Sequence, residues 1–152
     1  MQTPGQSIWA AEALTKDGWQ RDVLISIDDT GRIAAVDAGQ PHPGQPHQGH
    51  QVAIMLPAPA NAHSHAFQRA MAGLTESRGP DPRDTFWTWR RLMYRFLEQL
   101  TPEHVESIAA FVQMEMLEAG FAASVEFHYL HHGPDGEPYE KLSEMSARIA
   151  AA

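Results

Sequence analysis

Two histidines one residue apart close the stretch Leu56-Pro57-Ala58-Pro59-Ala60-Asn61-Ala62-His63-Ser64-His65, which continues into Ala66-Phe67-Gln68. In an extended chain residues i and i+2 project to the same side. His63 and His65 would therefore aim both imidazoles at one point just past a strand end. Neutral imidazole binds zinc at ~2.0–2.1 Å, and a zinc ion held by nitrogen and carboxylate ligands brings the pKa of a bound water to near neutral. Such a water can attack an amide, amidine or ring carbon. A plainer reading stands beside this one, since H-x-H also arises by chance in a chain with nine histidines. A catalytic zinc commonly keeps three protein ligands and one open position, and no second such pair follows a further strand. His128 is a candidate third ligand, or equally a structural residue. Asp84 and Glu126 are candidate carboxylate bases by elimination only, and strand alternation accounts for Glu126 equally well.

Composition narrows the chemistry. The chain has 152 residues and no cysteine, which removes disulfides, thiolate zinc sites and thiol catalysis together. Any metal must use His and carboxylate ligands. A net charge of −8 argues against a nucleic-acid partner, because phosphate binding needs clustered Lys and Arg. With 43% hydrophobic residues, the length suits about one domain with a buried core. The first residues lack a basic segment followed by an apolar core, and no apolar run approaches the ~20 residues of a membrane span. Cytoplasmic location and no membrane partner follow by default. No G-x-S-x-G elbow, phosphate-binding glycine loop or dinucleotide fingerprint is present.

The elements that must hold these residues can be read in order. Residues 7–14 and 21–27 read as strands, with Asp28-Asp29-Thr30-Gly31 as a hairpin turn and residues 32–36 returning from it. They form a small antiparallel β unit over residues 1–50, with Trp9 and Trp19 expected as packing residues. Gly39 to Gly49 is a solvated connector carrying His42 and His47, with His50 at its end; these can bind metal adventitiously. Residues 51–56 form a compact apolar run, expected as a strand buried on both faces. Residues 51–152 would then hold the first strands and helices of a parallel α/β structure. Arg69 to Leu74 suggests a helical turn. Asp84 or Thr85 caps a helix through Phe86–Leu97, with Phe86, Trp89, Met93 and Phe96 as its core stripe and Arg90 beside it. Thr101-Pro102 starts a second helix, which Gly120 ends. Residues 121–127 return as a strand, giving a parallel crossover. Its end, His128 to Gly136, opens on the same sheet edge as His63 and His65. Residues 139–152 read as helix.

Three stretches together resemble one family. His63-Ser64-His65-Ala66-Phe67-Gln68-Arg69-Ala70-Met71-Ala72-Gly73-Leu74, then Phe86-Trp87-Thr88-Trp89-Arg90 with Leu92-Met93-Tyr94-Arg95, then Glu126-Phe127-His128-Tyr129-Leu130-His131-His132, are similar to the formimidoylglutamate deiminases of the amidohydrolase superfamily. Asn61-Ala62-His63-Ser64-His65 alone marks only the superfamily. Ala58 departs from the glycine usual before the pair. The resemblance implies an α/β fold, a (β/α)8 barrel preceded by a small antiparallel β unit. It implies zinc-dependent hydrolysis of N-formimino-L-glutamate to N-formyl-L-glutamate and ammonia, a step of histidine degradation, in a homodimeric enzyme. His63 and His65 match two zinc ligands, and Gln68, Arg90 and Tyr129 match positions that contact substrate. The remaining zinc ligands and the acid/base residues lie on strands beyond the two or so that this chain supplies, so the barrel is incomplete here and the expected zinc site is a half-site. The isolated chain is expected to be an inactive N-terminal fragment. The alternatives are a related deaminase acting on a ring amidine such as guanine, against which the second and third stretches argue, and a non-catalytic truncated product that associates with other chains.

Overall fold

A computed structural model describes residues 6–42, 49–76, 83 and 85–152. His47 and Asp84 lie outside the described residues. The chain divides into two compact units, Met1–Pro57 and Ala58–Ala152.

The first unit is a four-stranded sheet of β1 (Ser7–Thr15), β2 (Gly18–Ile27), β3 (Ile33–Asp37) and β4 (His50–Met55), in the order β3-β2-β1-β4. β1 pairs antiparallel with β2, and β2 with β3, the second as the Asp28–Gly31 hairpin signal requires. The turn between β2 and β3 is organised by Asp28. Its carboxylate accepts from the backbone N–H groups of Thr30 and Arg32, both at 2.9 Å, and from the Thr30 hydroxyl at 2.7 Å. Those bonds hold its pKa below the usual carboxylate range, the Thr30 hydroxyl contributing most. Gly31 at φ +80° supplies the left-handed turn residue. Ala10, Ala13, Val23 and Ile25 form the core. Trp9 is buried, and its indole N–H donates to Gln40 O at 3.1 Å. Trp19, expected to pack, is instead 59% exposed.

The run at residues 51–56 also departs from expectation. It was expected to lead the parallel structure, buried on both faces. It pairs parallel with β1, in the register Ile8↔His50 through Ala13↔Met55, and its residues are exposed except for half-buried Met55. Periodicity identifies a strand but not its partner, and Pro57 and Pro59 end the run before the histidines. The first sheet is therefore mixed, and the division between units falls after Pro57, later than the boundary at residue 50 expected from sequence.

The second unit contains β5 (Ala60–Ser64), a 3-10 helix (Ala66–Met71), α1 (Phe86–Leu97), α2 (Pro102–Glu118), β6 (Ala123–Glu126) and α3 (Glu144–Ala151). β5 and β6 pair in parallel, so the expected crossover is present, running from β5. Thr101 caps α2, its hydroxyl accepting from His104 N at 3.3 Å, and Pro102 occupies the first helical position. Gly120, at φ +88°, ends the helix in the left-handed conformation. Phe67, Met71, Met93, Leu100, Val105, Ala109, Leu130, Met145 and Ile149 make one core, with Trp89 and Phe96 packed against it. Phe86, placed in the core stripe by its spacing, is 61% exposed at the start of α1. Among the described residues no helix is long and apolar enough to cross a membrane.

Phe67 is 2% exposed and meets Tyr129 edge-on at 5.4 Å between ring centroids. Phe67→Ala leaves a cavity under the segment that follows the histidines. It is expected to lower unfolding stability by about 3–5 kcal/mol, read as a lowered urea midpoint.

Candidate metal and substrate site

His63 is the penultimate residue of β5, and His65 follows the strand directly. The Pro57-to-Pro59 segment leads the chain out of the first sheet, and Pro59 O accepts from Ala122 N at 3.1 Å, which starts the β5–β6 pairing. The extended backbone then sends both rings to one side, as their spacing requires. His63 Nε2 and His65 Nε2 are 3.0 Å apart, with the rings at 84°. The His63 backbone N–H is held by Asn61 Oδ1 at 3.1 Å.

Tautomers follow from the partners. His65 Nδ1 lies 2.9 Å from Phe127 O, and a carbonyl only accepts, so Nδ1 carries the proton. In neutral His65 the Nε2 lone pair is then free and faces His63. Two nitrogens at ~2.0–2.1 Å from a common ion and 3.0 Å apart subtend roughly 90–100° at it. That is within what a metal accepts, and a backbone carbonyl fixing the far nitrogen is the usual support of a metal-bound histidine. The pair thus fits half of a zinc site. Among the described residues no group of three His, Asp or Glu side chains could hold a metal ion.

His128, the candidate third ligand, does not join the pair. Its Nε2 lies 2.7 Å from Ser146 Oγ on α3, and its Nδ1 accepts from Leu130 N at 3.3 Å. It lines a cavity of about 710 Å³ between α2, β6 and α3, whose lining includes Met116, Phe127 and Ser146 but neither His63 nor His65. Glu126, a candidate base, makes a backbone contact. Its Oε1 accepts from Ala66 N at 2.6 Å.

Of the three residues matched to substrate contacts, Gln68 and Tyr129 meet at one sulfur, and Arg90 lies on α1 beside Tyr94. Tyr129 Oη donates to Met93 Sδ at 2.9 Å, and Gln68 Nε2 lies 3.9 Å from the same sulfur. Gln68 and Tyr129 thus share the Met93 sulfur. Burial raises the Tyr129 pKa above the ordinary phenol value, so the group stays a protonated donor. Arg90 lies between Trp87 and Tyr94, its guanidinium carbon 5.5 Å and 5.1 Å from their ring centroids, and donates to Tyr94 Oη at 2.8 Å. Residues 87, 90 and 94 share one helix face by their spacing. That spacing is the signal for Trp87 and Tyr94, which the core-stripe reading passed over. The spacing of Met93 marks it only as core, and a thioether acceptor has no sequence signature.

The fold is similar to that of solved amidohydrolase structures. A crystal structure of an amidohydrolase from Brucella melitensis aligns over 96% of this chain with TM-score 0.85 and 46% identity, covering 32% of that protein. A zinc-bound adenosine deaminase from Xanthomonas campestris shares the fold at TM-score 0.62 and 16% identity, over 99% of this chain and 33% of its own. More particularly, residues 6–48 match the family model described as formimidoylglutamate deiminase HutF, N-terminal domain. Formimidoylglutamate deiminase of Pseudomonas aeruginosa is 47% identical over 146 residues, which are 96% of this chain and 31% of that protein. The resemblance carried by the three sequence stretches is thereby borne out, and the chain spans about a third of the length of the relatives it matches.

Burial pushes the His128 imidazole below its ordinary pKa; neighbouring His131 adds to this and Glu126 opposes it. The unfolded chain therefore takes up this proton first as pH falls. The His128 contribution to stability is complete above the ordinary histidine pKa of about 6.5 and is lost below it. Between pH 7.5 and 5.5 the urea midpoint is expected to fall more steeply in the native chain than in His128→Gln, measured by fluorescence at each pH.

Proposed function

We propose that this chain is the N-terminal part of a zinc-dependent deiminase that hydrolyses N-formimino-L-glutamate to N-formyl-L-glutamate and ammonia. In this reading residues 58–152 are the first strand–helix–strand portion of a (β/α)8 barrel. The observation that carries it is the convergence of His63 Nε2 and His65 Nε2 at 3.0 Å in a chain 47% identical to formimidoylglutamate deiminase.

His63 and His65 would hold the zinc ion, which when bound supplies Lewis acidity and an acidified water. The zinc-bound adenosine deaminase of the same fold supports this choice of metal. The Phe127 carbonyl keeps the His65 proton on Nδ1 and so keeps Nε2 free for the metal. Arg90 suits a substrate carboxylate, since guanidinium forks onto carboxylate with two hydrogen bonds. The aromatic rings of Trp87 and Tyr94 restrict its side chain, so less rotamer freedom is lost on binding. The Tyr129 phenol, on turning its one proton from Met93 Sδ to the ligand, and the Gln68 amide supply donors for the polar groups of the linear amidine. Water adds to the amidine carbon, its C–N bond to the terminal nitrogen breaks, and that nitrogen leaves as ammonia. The intact enzyme acts on a small molecule, as a homodimer, without nucleic acid or membrane.

In the intact enzyme, Arg90→Ala is expected to lower kcat/KM for N-formimino-L-glutamate by about 10–100-fold, the loss of hydrogen bonds to a charged group, measured by ammonia release. Unchanged turnover would sink the carboxylate assignment, and faster turnover of guanine than of N-formimino-L-glutamate would favour a ring-amidine deaminase. The 152-residue chain by itself is expected to show no turnover and no tight stoichiometric zinc binding. Calorimetry on a variant with His42, His47 and His50 replaced by Gln tests the second point, free of adventitious sites. Zinc-dependent ammonia release by this chain alone would contradict the half-site reading.

A further inference from the structure

We infer that Glu126 is a positioning residue for the metal ligand His65 and for Gln68, acting as a helix cap supplied from the neighbouring strand. This rests on the reading of His63 and His65 as zinc ligands.

The physical need for such a cap is local. The first N–H groups of a helix have no partner within it, and the residue before the helix ordinarily supplies an acceptor from its side chain. Here that residue is His65, at φ −132° and ψ 71°, and its side chain makes no capping bond. It is turned away instead, one nitrogen toward His63 and the other toward Phe127 O. A ligand histidine cannot also cap the turn that follows it. The acceptor comes from β6, where Glu126 Oε1 takes the Ala66 N–H at 2.6 Å. A carboxylate is the favoured partner at a helix N-terminus.

The neighbouring bonds make this one clamp. Phe127 N donates to Ser64 O at 3.0 Å, and Phe127 O accepts from His65 Nδ1 at 2.9 Å. Glu126 and Phe127 thus hold Ser64, His65 and Ala66 in succession. Ala66 is 6% exposed, so its N–H would have little access to water if Glu126 were removed. An unpaired donor escapes by a turn of the backbone, and that rotates His65 on one side and carries Gln68 on the other. Gln68 is the third residue of the same 3-10 helix.

The test is the zinc affinity of the intact enzyme, measured by competition with a chelator, for Glu126→Ala and Glu126→Gln. Glu126→Gln keeps an acceptor oxygen without the charge. Glu126→Ala is expected to weaken zinc by about 10–100-fold, the usual effect of removing support behind a ligand. Glu126→Gln is expected to restore most of it. Native affinity in Glu126→Ala overturns the assignment. So does loss of affinity in Glu126→Gln equal to that in Glu126→Ala, which would mean that the charge rather than the cap matters. Should Glu126→Ala fail to fold, Glu126→Gln alone decides: near-native affinity supports the cap, and weakened affinity overturns it. A second readout does not depend on metal. In metal-free protein labelled with 15N-histidine, the Nδ1–H tautomer of His65 should persist in Glu126→Gln and give way to a mixture in Glu126→Ala. His65→Ala separates the two levels of the argument: if it binds zinc normally, the ligand reading fails, whereas the tautomer result still judges the cap.

Discussion

The parallel pairing of β5 with β6 is the constraint on which the site depends. It sets the end of one strand beside the end of the other, so the Phe127 backbone can bond Ser64 through its N–H and His65 through its carbonyl. Without it, two histidines at alternate positions would share only a side of the chain. With it, one ring is fixed in a single tautomer and the two Nε2 atoms meet at 3.0 Å. The 3-10 helix that begins at Ala66 then buries Phe67 and Met71, which ties the same segment into the core.

Around this pair the polar groups are organised by soft and aromatic partners more than by ion pairs. Buried Met93 lies under Tyr129 and Gln68, while Arg90 lies between two rings of its own helix. Ion pairs among the described residues of the second unit join other side chains. Arg69 forks onto Glu115, and Arg148 gathers Glu103, Glu106 and Glu144. These tie the 3-10 helix and α3 to α2. They are solvent-exposed or only half-buried pairs, of small individual effect. Arg90 by contrast meets the rings of Trp87 and Tyr94, which leave its charge in place.

Much of this was legible in the residues. Thr101-Pro102 and Gly120 mark the ends of α2 because capping and left-handed turns are decided locally. Asp28-Asp29-Thr30-Gly31 marks the hairpin for the same reason. The errors all concern which surfaces meet. The apolar run at residues 51–56 marks a strand but does not name its neighbour, which is β1 rather than β6. Trp19 is expected to pack, and Phe86 falls in a core stripe by its helical spacing, but both are exposed because neither spacing nor ring size says which surface is covered. His128 was a candidate ligand because it follows β6; the turn after the strand sends it to Ser146.

The sequence by itself determined the residue types of the site and their order. A histidine pair at alternate positions must point to one side of an extended chain, and the absence of cysteine restricts any metal to nitrogen and oxygen donors. Motif resemblance added the expected ligand roles of His63 and His65 and the expected contacts of Gln68, Arg90 and Tyr129. Only the tertiary structure decided what each of these touches. Glu126, a candidate base by elimination, caps a helix that starts sixty residues earlier in the chain, and the Phe127 carbonyl chooses the tautomer of His65. Both are contacts between strand ends remote in sequence, and no local pattern of residues encodes them.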